Sequence, residues 1–210
     1  MFKYILFDWD GCLVDTLPVW YQGMKSGLSN LGIDASDRDI KKGFQTWNFF
    51  VEMGVSDLNL FTGLVYKYVM SYLDDVRFNE GVIEFLELAK SRGIKAAIVT
   101  STERSSVLPV LSRLDATKYF DCIIARQDVK NLKPHPDPIN MAIEKLGGNR
   151  DNTFIVGDSL SDIQSGKNAG IKTVWYIPEY NREYHLNNRE ISNTSPDTVI
   201  SHMNELISLI

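Results

Sequence analysis

Two aspartates, Asp8 and Asp10, stand one residue apart directly after a short apolar run, "YILF" (4–7), and a glycine follows them. Carboxylates this close repel one another, so a nearby positive charge is expected to compensate them. Turn chemistry is the simpler alternative, because Asp and Gly are common turn residues. The pair therefore poses a choice between an ordinary turn and a cation site.

Further polar side chains follow other β-rich runs or lie in the proline-stiffened stretch "NLKPHPDP": Thr100, Ser101, Asp158, Asp162 and Lys133. Singly, these residues are also typical of helix caps or of the surface. In an open parallel sheet, however, ligands bind beyond the carboxyl ends of the strands, where these side chains would converge. All-oxygen ligation by carboxylates favours Mg²⁺, and a threonine hydroxyl beside a lysine suits a phosphoryl group. Together the residues predict a Mg²⁺ site that acts on a phosphate.

The elements that must position these residues alternate between strand and helix. The β-rich runs are 4–7, 95–99, 122–124, 153–156 and 172–176. Between them, apolar residues recur at i, i+3, i+4 and i+7 from Val82, and a further helix is predicted over 136–146. Alternating strands and helices predict an α/β fold, a three-layer Rossmann-like parallel sheet with helices on both faces.

One region breaks this alternation. From about Leu17 to Asn79 the sequence shows helical periods and no convincing strand, and roughly sixty residues are too many for an ordinary connection. We expect an inserted α-helical cap domain at 16–79, with the catalytic core formed by 1–15 and 80–210. The polar stretch 179–196 has no clear period and is predicted to be loop, and its histidine, His185, carries no functional signal.

Composition limits the class of protein and of partner. The 210 residues carry 22 basic and 27 acidic side chains, a net charge of −5. Such a balance disfavours an electrostatic grip on nucleic acid or an anionic membrane. Neither a signal peptide nor an apolar span is recognisable, and two cysteines in unrelated contexts fit a reducing compartment. A cytoplasmic protein is expected, whose oligomeric state the sequence does not indicate.

Four motifs in order resemble those of the haloacid dehalogenase (HAD) superfamily of phosphohydrolases. They are "DWDGCLVDT" (8–16), "TST" (100–102), Lys133 in "KPHPDP" and "VGDSLSD" (156–162). The helical insert after the first motif is similar to the small helical cap of the phosphoglycolate phosphatase-like branch. The resemblance implies a phosphoric monoester hydrolase whose partner is a small-molecule phosphate ester.

Carried onto this sequence, the resemblance implies Asp8 as the nucleophile that forms an aspartyl-phosphate. Asp10 would protonate the leaving alkoxide and then deprotonate the incoming water. Mg²⁺ would be held by Asp8, the main-chain oxygen of Asp10 and Asp158, with Asp162 supporting it directly or through water.

The same resemblance implies a binding site for the transferred phosphoryl group. Thr100 and Lys133 would hold its oxygens, helped by backbone N–H groups near Trp9 and Ser101. At this motif the sequence departs from the family pattern, because Ser101 stands where the family often has asparagine.

Two alternatives to a phosphatase are a sugar phosphomutase and a phosphate-binding module without catalysis. A sugar phosphomutase of the β-phosphoglucomutase kind keeps both aspartates, but it commonly has a histidine where this chain reads "LPVWYQG". A phosphate-ligand binding module without catalysis would need neither aspartate. Cap residues that could select the substrate are Trp20, Lys42 and Trp47. A phosphatase for phosphoglycolate or a sugar phosphate is the reading that the residues favour.

Overall fold

The computed structural model describes residues 2–185 and 188–210. Within them six parallel strands form one sheet in the order β3-β2-β1-β4-β5-β6. The strands are β1 (Tyr4–Phe7), β2 (Lys95–Val99), β3 (Cys122–Ile124), β4 (Thr153–Gly157), β5 (Lys172–Tyr176) and β6 (Thr198–Ile200). The expected α/β fold with a parallel sheet is confirmed. The edge strand β6 was not predicted from the sequence.

The described helices alternate with the strands, except that the first five of them come in a row between β1 and β2. They are α1 (Leu17–Asn30), α2 (Asp37–Lys42), α3 (Asn48–Glu52), α4 (Leu58–Met70), α5 (Val82–Ser91), α6 (Arg104–Arg113), α7 (Asp137–Leu146), α8 (Leu160–Ala169) and α9 (Asn188–Asn193). Short 3₁₀ helices lie at Thr117–Tyr119, Arg126–Asp128, Arg150–Asn152, Glu179–Tyr184 and Met203–Leu209.

Side chains of the central strands alternate between two apolar layers. Ile5 and Phe7 of β1 pack into a cluster that includes residues of α5 and α6, whereas Leu6 packs into a second cluster with residues of α7. Successive side chains of a strand point to opposite faces, so a strand buried on both faces must be apolar throughout. The continuous apolar run "YILF" of β1 fits a strand that is buried on both faces.

The register of β1 places three of the four motifs side by side. Phe7 pairs with Ile98 of β2 on one side and with Val156 of β4 on the other. Because all three strands run parallel, the residues just beyond them emerge at the same edge of the sheet. This arrangement brings the loop after β1 between the loops that carry Thr100 and Asp158.

The first four helices after β1, α1 to α4, surround an apolar cluster of their own. Its buried members include Met24 and Leu28 of α1, Phe50 of α3, and Phe61 and Val65 of α4. Phe50 and Phe61 lie with ring centroids 4.8 Å apart. A separate cluster is what an independent cap would need, and the division at 16–79 stays a prediction.

The stretch 179–196 is not loop throughout, which corrects the sequence-based expectation. A 3₁₀ helix occupies Glu179–Tyr184 and α9 begins at Asn188, while Leu186 and Asn187 of this stretch lie outside the described residues. Ile191 is fully buried in a small cluster with Trp175 and Ile177. Such anchoring is tertiary, so a local period does not reveal it. Among the described residues, no helix has the length and apolar character needed to cross a membrane.

Candidate active site

Lys133 links the tips of separate elements at the centre of the site. Its Nζ lies 2.5 Å from Asp8 Oδ1 and 2.6 Å from Asp162 Oδ1, and it donates to the main-chain oxygen of Val99 at 3.0 Å. The side chains of all three charged residues are at most 9% exposed. A buried lysine with two buried carboxylates is held in one geometry, because leaving any of these charges unpaired is costly.

The same edge of the sheet gathers the expected metal ligands. Carboxylate oxygens of Asp8, Asp158 and Asp162 all lie within 4.8 Å of one another. Asp158 Oδ1 is buried and accepts no hydrogen bond within the described part of the chain. The main-chain oxygen of Asp10 likewise accepts none there. Unused oxygen acceptors beside buried carboxylates fit a hard divalent cation.

Asp162 differs from the other two acids, because both of its oxygens are engaged. Oδ1 accepts from Lys133, while Oδ2 accepts from Ser159 N at 3.0 Å and from Ser159 Oγ at 2.5 Å. The contact from Ser159 N belongs to a capping box at the start of α8. Asp162 therefore holds Lys133 and the start of α8 in place. This favours support of the metal through water over direct coordination.

Burial governs the protonation of this cluster. Burial, followed by the charge of Asp162, raises the pKa of Asp8 well above its usual range, and Lys133 opposes that rise. Burial also raises the pKa of Asp158, whose contact with His185 works in the opposite direction. For Lys133 burial disfavours the ammonium, but Asp162 and Asp8 outweigh it and raise its pKa above the usual range. One lysine does not balance three acids, so a further cation would stabilise the ionised carboxylates.

The loop after β1 is shaped by a glycine that no other residue could replace without collision. Gly11 has φ +78°, and a Cβ there would lie 2.3 Å from Asp158 Oδ2. Two buried amides fix this turn by donating to the main-chain oxygen of Gly11, Asn79 at 3.2 Å and Asn181 at 2.8 Å. Asn79 was not singled out from the sequence, and its side-chain amide holds the loop after β1 in place.

Asp10 is held by three donors, two of which come from the beginning of the helical segment. Thr16 Oγ1 donates to Oδ1 at 2.8 Å and Trp20 Nε1 to the same oxygen at 2.7 Å, while Thr102 Oγ1 donates to Oδ2 at 2.6 Å. Thr16 and Thr102 belong to the quoted motifs but were not singled out as site residues. Trp20 was expected to face the substrate, and its indole N–H also fixes Asp10.

The predicted phosphate-binding groups surround the same point. Thr100 is buried, and its Oγ1 accepts from the N–H of Thr102 at 3.0 Å. The backbone N–H groups of Trp9 and Ser101 donate to no other group among the described residues. Free N–H groups next to Thr100 and Lys133 suit the oxygens of a phosphoryl group.

His185 joins the site although the sequence gave no reason to select it. Its Nε2 lies 2.9 Å from Asp158 Oδ2, and the side chain is 4% exposed. Nε2 does not have the alignment of a hydrogen bond, so the contact is one of close approach. The histidine lies far along the chain from every motif, and only the folded C-terminal stretch brings it to Asp158.

A cavity of about 1010 Å³ opens above these groups. Asp8, Asp10, Lys133 and Asp158 line its inner end, and Trp20 and Trp47 line the side formed by the helical segment. Lys42 does not line it in the described structure: its Nζ pairs with Asp39 at 3.0 Å and lies 4.4 Å from the ring centroid of Phe49. Of the three cap residues expected to select substrate, the structure therefore places two at the cavity.

Family comparison agrees with this arrangement. The sequence pattern of haloacid dehalogenase-like hydrolases matches residues 5–176, which include β1 through β5 and all four motifs. The chain belongs to this family. The resemblance noted from the motifs alone is thereby confirmed.

Named relatives in the family are phosphatases. The chain is 28% identical over 99% of its length to pyrophosphatase PpaX of Oceanobacillus iheyensis, covering 96% of that protein. It is 32% identical to a phosphorylated carbohydrates phosphatase of Thermotoga maritima, over 82% of this chain and 84% of the relative. With the phosphoglycolate phosphatase of Escherichia coli it shares 34% identity over 60% of its own length and 48% of that enzyme. The expected enzyme class, a phosphoric monoester hydrolase of HAD type, is confirmed.

Solved structures show the same fold at lower identity. CbbY from Rhodobacter sphaeroides, in complex with phosphate, superposes with a TM-score of 0.82 at 20% identity, over 98% of this chain and 96% of that one. A β-phosphoglucomutase candidate from Thermotoga maritima superposes with a TM-score of 0.76 at 24% identity, over 99% and 100%. At such identities the likeness extends to the fold alone.

Proposed function

We propose that this protein is a Mg²⁺-dependent phosphatase that hydrolyses a small phosphorylated metabolite through an aspartyl-phosphate intermediate. The observation that carries the proposal is the ion pair between Asp8 and Lys133, next to the buried carboxylate of Asp158. A nucleophilic carboxylate needs neighbouring positive charge to approach an anionic phosphate. Lys133 supplies one such charge, and a bound Mg²⁺ would neutralise further charge on the phosphate.

In the first step an oxygen of Asp8 attacks phosphorus, and the bond from phosphorus to the ester oxygen breaks. The electron pair goes to the leaving oxygen, which takes a proton from the carboxyl group of Asp10. Lys133, Thr100 and the N–H groups of Trp9 and Ser101 hold the phosphoryl oxygens as charge shifts between them. Because these donors are fixed before the substrate arrives, little reorganisation is needed during transfer.

In the second step water attacks the phosphorus of the aspartyl-phosphate and gives up a proton to Asp10. Phosphate leaves and the Asp8 carboxylate is restored. Thr16, Trp20 and Thr102 keep Asp10 directed at the reacting oxygen through both steps. The residues that would hold Mg²⁺ are Asp8, the main-chain oxygen of Asp10 and Asp158, with Asp162 in support.

The helical segment 16–79 acts in this proposal as a cap that covers the inner end of the cavity. Closing such a lid excludes water during phosphoryl transfer and lets the cap contact the leaving group. A sugar phosphomutase would use the same two aspartates but would return the phosphoryl group to a sugar hydroxyl. The fold likeness to the β-phosphoglucomutase candidate does not choose between these outcomes.

The direct test measures phosphate released from p-nitrophenyl phosphate with and without Mg²⁺. We expect steady release that stops when a chelator removes the metal and returns when Mg²⁺ is added. Binding of phosphate without turnover would support a ligand-binding module. Interconversion of sugar monophosphates with little free phosphate would support the mutase.

A further inference from the structure

The outer part of the cavity has a lining that indicates the kind of leaving group. Every lining residue contributed by the helical segment of the described structure is uncharged; they include Phe44, Gln45, Trp47, Asn48, Asn59 and Tyr66. The inner end, by contrast, carries Asp8, Asp10, Asp158 and Lys133. A second anionic group on the substrate would therefore meet no cation on the helical side.

Two lysines that directly precede lining residues of the helical segment form ion pairs elsewhere. Lys41 pairs with Glu183 at 3.0 Å, and Lys42 pairs with Asp39. The lining outside the helical segment does contain Arg126, but Glu103 lines the same cavity. Both charges act on the Tyr66 hydroxyl with opposite sign. Arg126 and Glu103 carry opposite formal charges at the outer end, and the helical side adds no cation that would attract a carboxylate or a second phosphate.

Hydrogen-bonding groups on this side are uncharged and unused by the protein. The Trp47 indole N–H, the Tyr66 hydroxyl and the side-chain amides of Gln45 and Asn48 bond to no other group within residues 2–185 and 188–210. Burial, then the charge of Asp10, raises the pKa of Tyr66 to about 12, so its hydroxyl remains a neutral donor.

Aromatic rings frame these donors at fixed angles. Trp20 meets Tyr66 edge-on at 5.2 Å between ring centroids, and it meets Trp47 edge-on at 6.3 Å. Aromatic side chains with a polar tip combine apolar contact with a hydrogen bond at low entropic cost. Hydroxyl groups on a carbon skeleton match both features, since their C–H faces pack on rings and their O–H groups take part in hydrogen bonds.

From this lining we infer that the outer cavity binds a neutral, hydroxylated leaving group, so that sugar or polyol monophosphates are preferred over phosphate esters with a second anionic group. The inference rests on the proposed phosphatase function and narrows its substrate class. It separates the two classes that the motifs left open, because 2-phosphoglycolate carries a carboxylate where a sugar phosphate carries hydroxyls.

The test compares kcat/KM for a hexose 6-phosphate, 2-phosphoglycolate and pyrophosphate, with p-nitrophenyl phosphate as a general substrate. We expect the hexose phosphate to exceed both anionic substrates by about tenfold or more, the worth of one or two neutral hydrogen bonds. A lead for 2-phosphoglycolate or pyrophosphate that disappears in Arg126→Gln would overturn the inference, because Arg126 would then bind the second anion.

Two conservative variants examine the outer lining directly. Trp47→Phe and Tyr66→Phe keep a ring and remove one donor each, and each should lower kcat/KM for the hexose phosphate about tenfold, mainly through KM. The matched control is Lys42→Gln, outside the cavity, which should change neither parameter. Unchanged KM in both aromatic variants would contradict the assignment.

Binding to Asp8→Asn in Mg²⁺, measured by calorimetry, tests the same preference without turnover. Tighter binding of the hexose phosphate than of 2-phosphoglycolate supports the inference even if the catalytic proposal fails. The reverse order of affinities would overturn it even in an active phosphatase.

Discussion

The two walls of the cavity are built on opposite principles. The wall at the sheet edge is charged, buried and tightly connected: Lys133 bonds to two acids, and Asp10 accepts from three donors. The wall of the helical segment is uncharged, and Gln45 and Asn48 on it are exposed. Chemistry common to phosphate esters needs the first kind of wall. Selection among leaving groups needs only the second, which is free to differ.

The largest effect is expected at the sheet-edge wall, from Asp8→Asn. The amide keeps the size of the side chain but is a far poorer nucleophile, so turnover of every phosphate ester should fall by at least about a thousandfold. The measurement is kcat on p-nitrophenyl phosphate and on a sugar phosphate. Residual activity above that level on either substrate would mean that Asp8 is not the group attacked.

Trp20 belongs to the helical wall but donates to Asp10 on the sheet-edge wall. Trp20→Phe therefore tests whether one wall positions a group of the other. The variant keeps a ring and removes the donor to Asp10 Oδ1. For an alkyl phosphate we expect kcat to fall about tenfold, since one hydrogen bond to the acid is lost. The initial burst from p-nitrophenyl phosphate should change little, because its leaving group needs little protonation.

Thr16→Val is the matched variant for this prediction, since Thr16 donates to the same oxygen. It should give the same split between the two substrates. Equal losses on both substrates in both variants would show that these residues support folding or binding and do not position Asp10.

His185 tests whether the sheet-edge wall extends into the C-terminal stretch. If Asp158 holds Mg²⁺ as proposed, His185→Gln should weaken Mg²⁺ affinity about tenfold, because it removes the group that contacts this carboxylate. Calorimetric titration with Mg²⁺ gives this affinity without any turnover. The control is His202→Gln, an exposed histidine outside the cavity. Identical affinities in the two variants would remove His185 from the site.

The smallest effect concerns stability and lies away from both walls. Asp197 accepts from Lys167 at 2.8 Å, from Lys172 at 3.0 Å and from Thr173 N at 3.0 Å. Burial opposes the charged form, but these donors outweigh it and lower the pKa of Asp197. A depressed pKa stabilises the fold above the pKa of the unfolded chain, and this contribution fades as pH falls toward the folded value.

Asp197→Asn should therefore lower the free energy of unfolding by about 1–2 kcal/mol at pH 7 and by less below about pH 4. Urea unfolding at several pH values measures the difference. Asp34→Asn, an exposed aspartate without an ion pair among the described residues, is the control. A difference that stayed constant with pH would show that the ion pairs contribute nothing.

How far the sequence led depends on the kind of signal. Three of the motifs directly follow strands, and parallel strands bring their ends to one edge, so Asp8, Thr100 and Asp158 could be placed from order alone. The fold followed from alternation for the same reason. Lys133 lies in a proline-rich stretch, and the family resemblance placed it. Trp20, by contrast, could be located near the cavity but not oriented, because which atom its indole N–H meets depends on packing.

Other parts of the site could not be predicted at all. His185 and Asn181 come from a polar stretch with no period, and their positions are set by tertiary contacts such as that of Ile191. Asn79 was not singled out either, because its bonds to the loop after β1 form only when that loop is folded. Lys42 shows the opposite case: the sequence suggested that it contacts the substrate, but in the structure it pairs with Asp39 outside the cavity lining.

Rapid-quench mass spectrometry tests the central claim most directly. The enzyme is mixed with substrate and Mg²⁺, stopped within the first turnover and digested, and the peptide that contains Asp8 is weighed. We expect a phosphoryl group on Asp8 that forms and decays at the rates of turnover and is missing in Asp8→Asn. Full turnover with no phosphoryl adduct, or with the adduct on another residue, would contradict it.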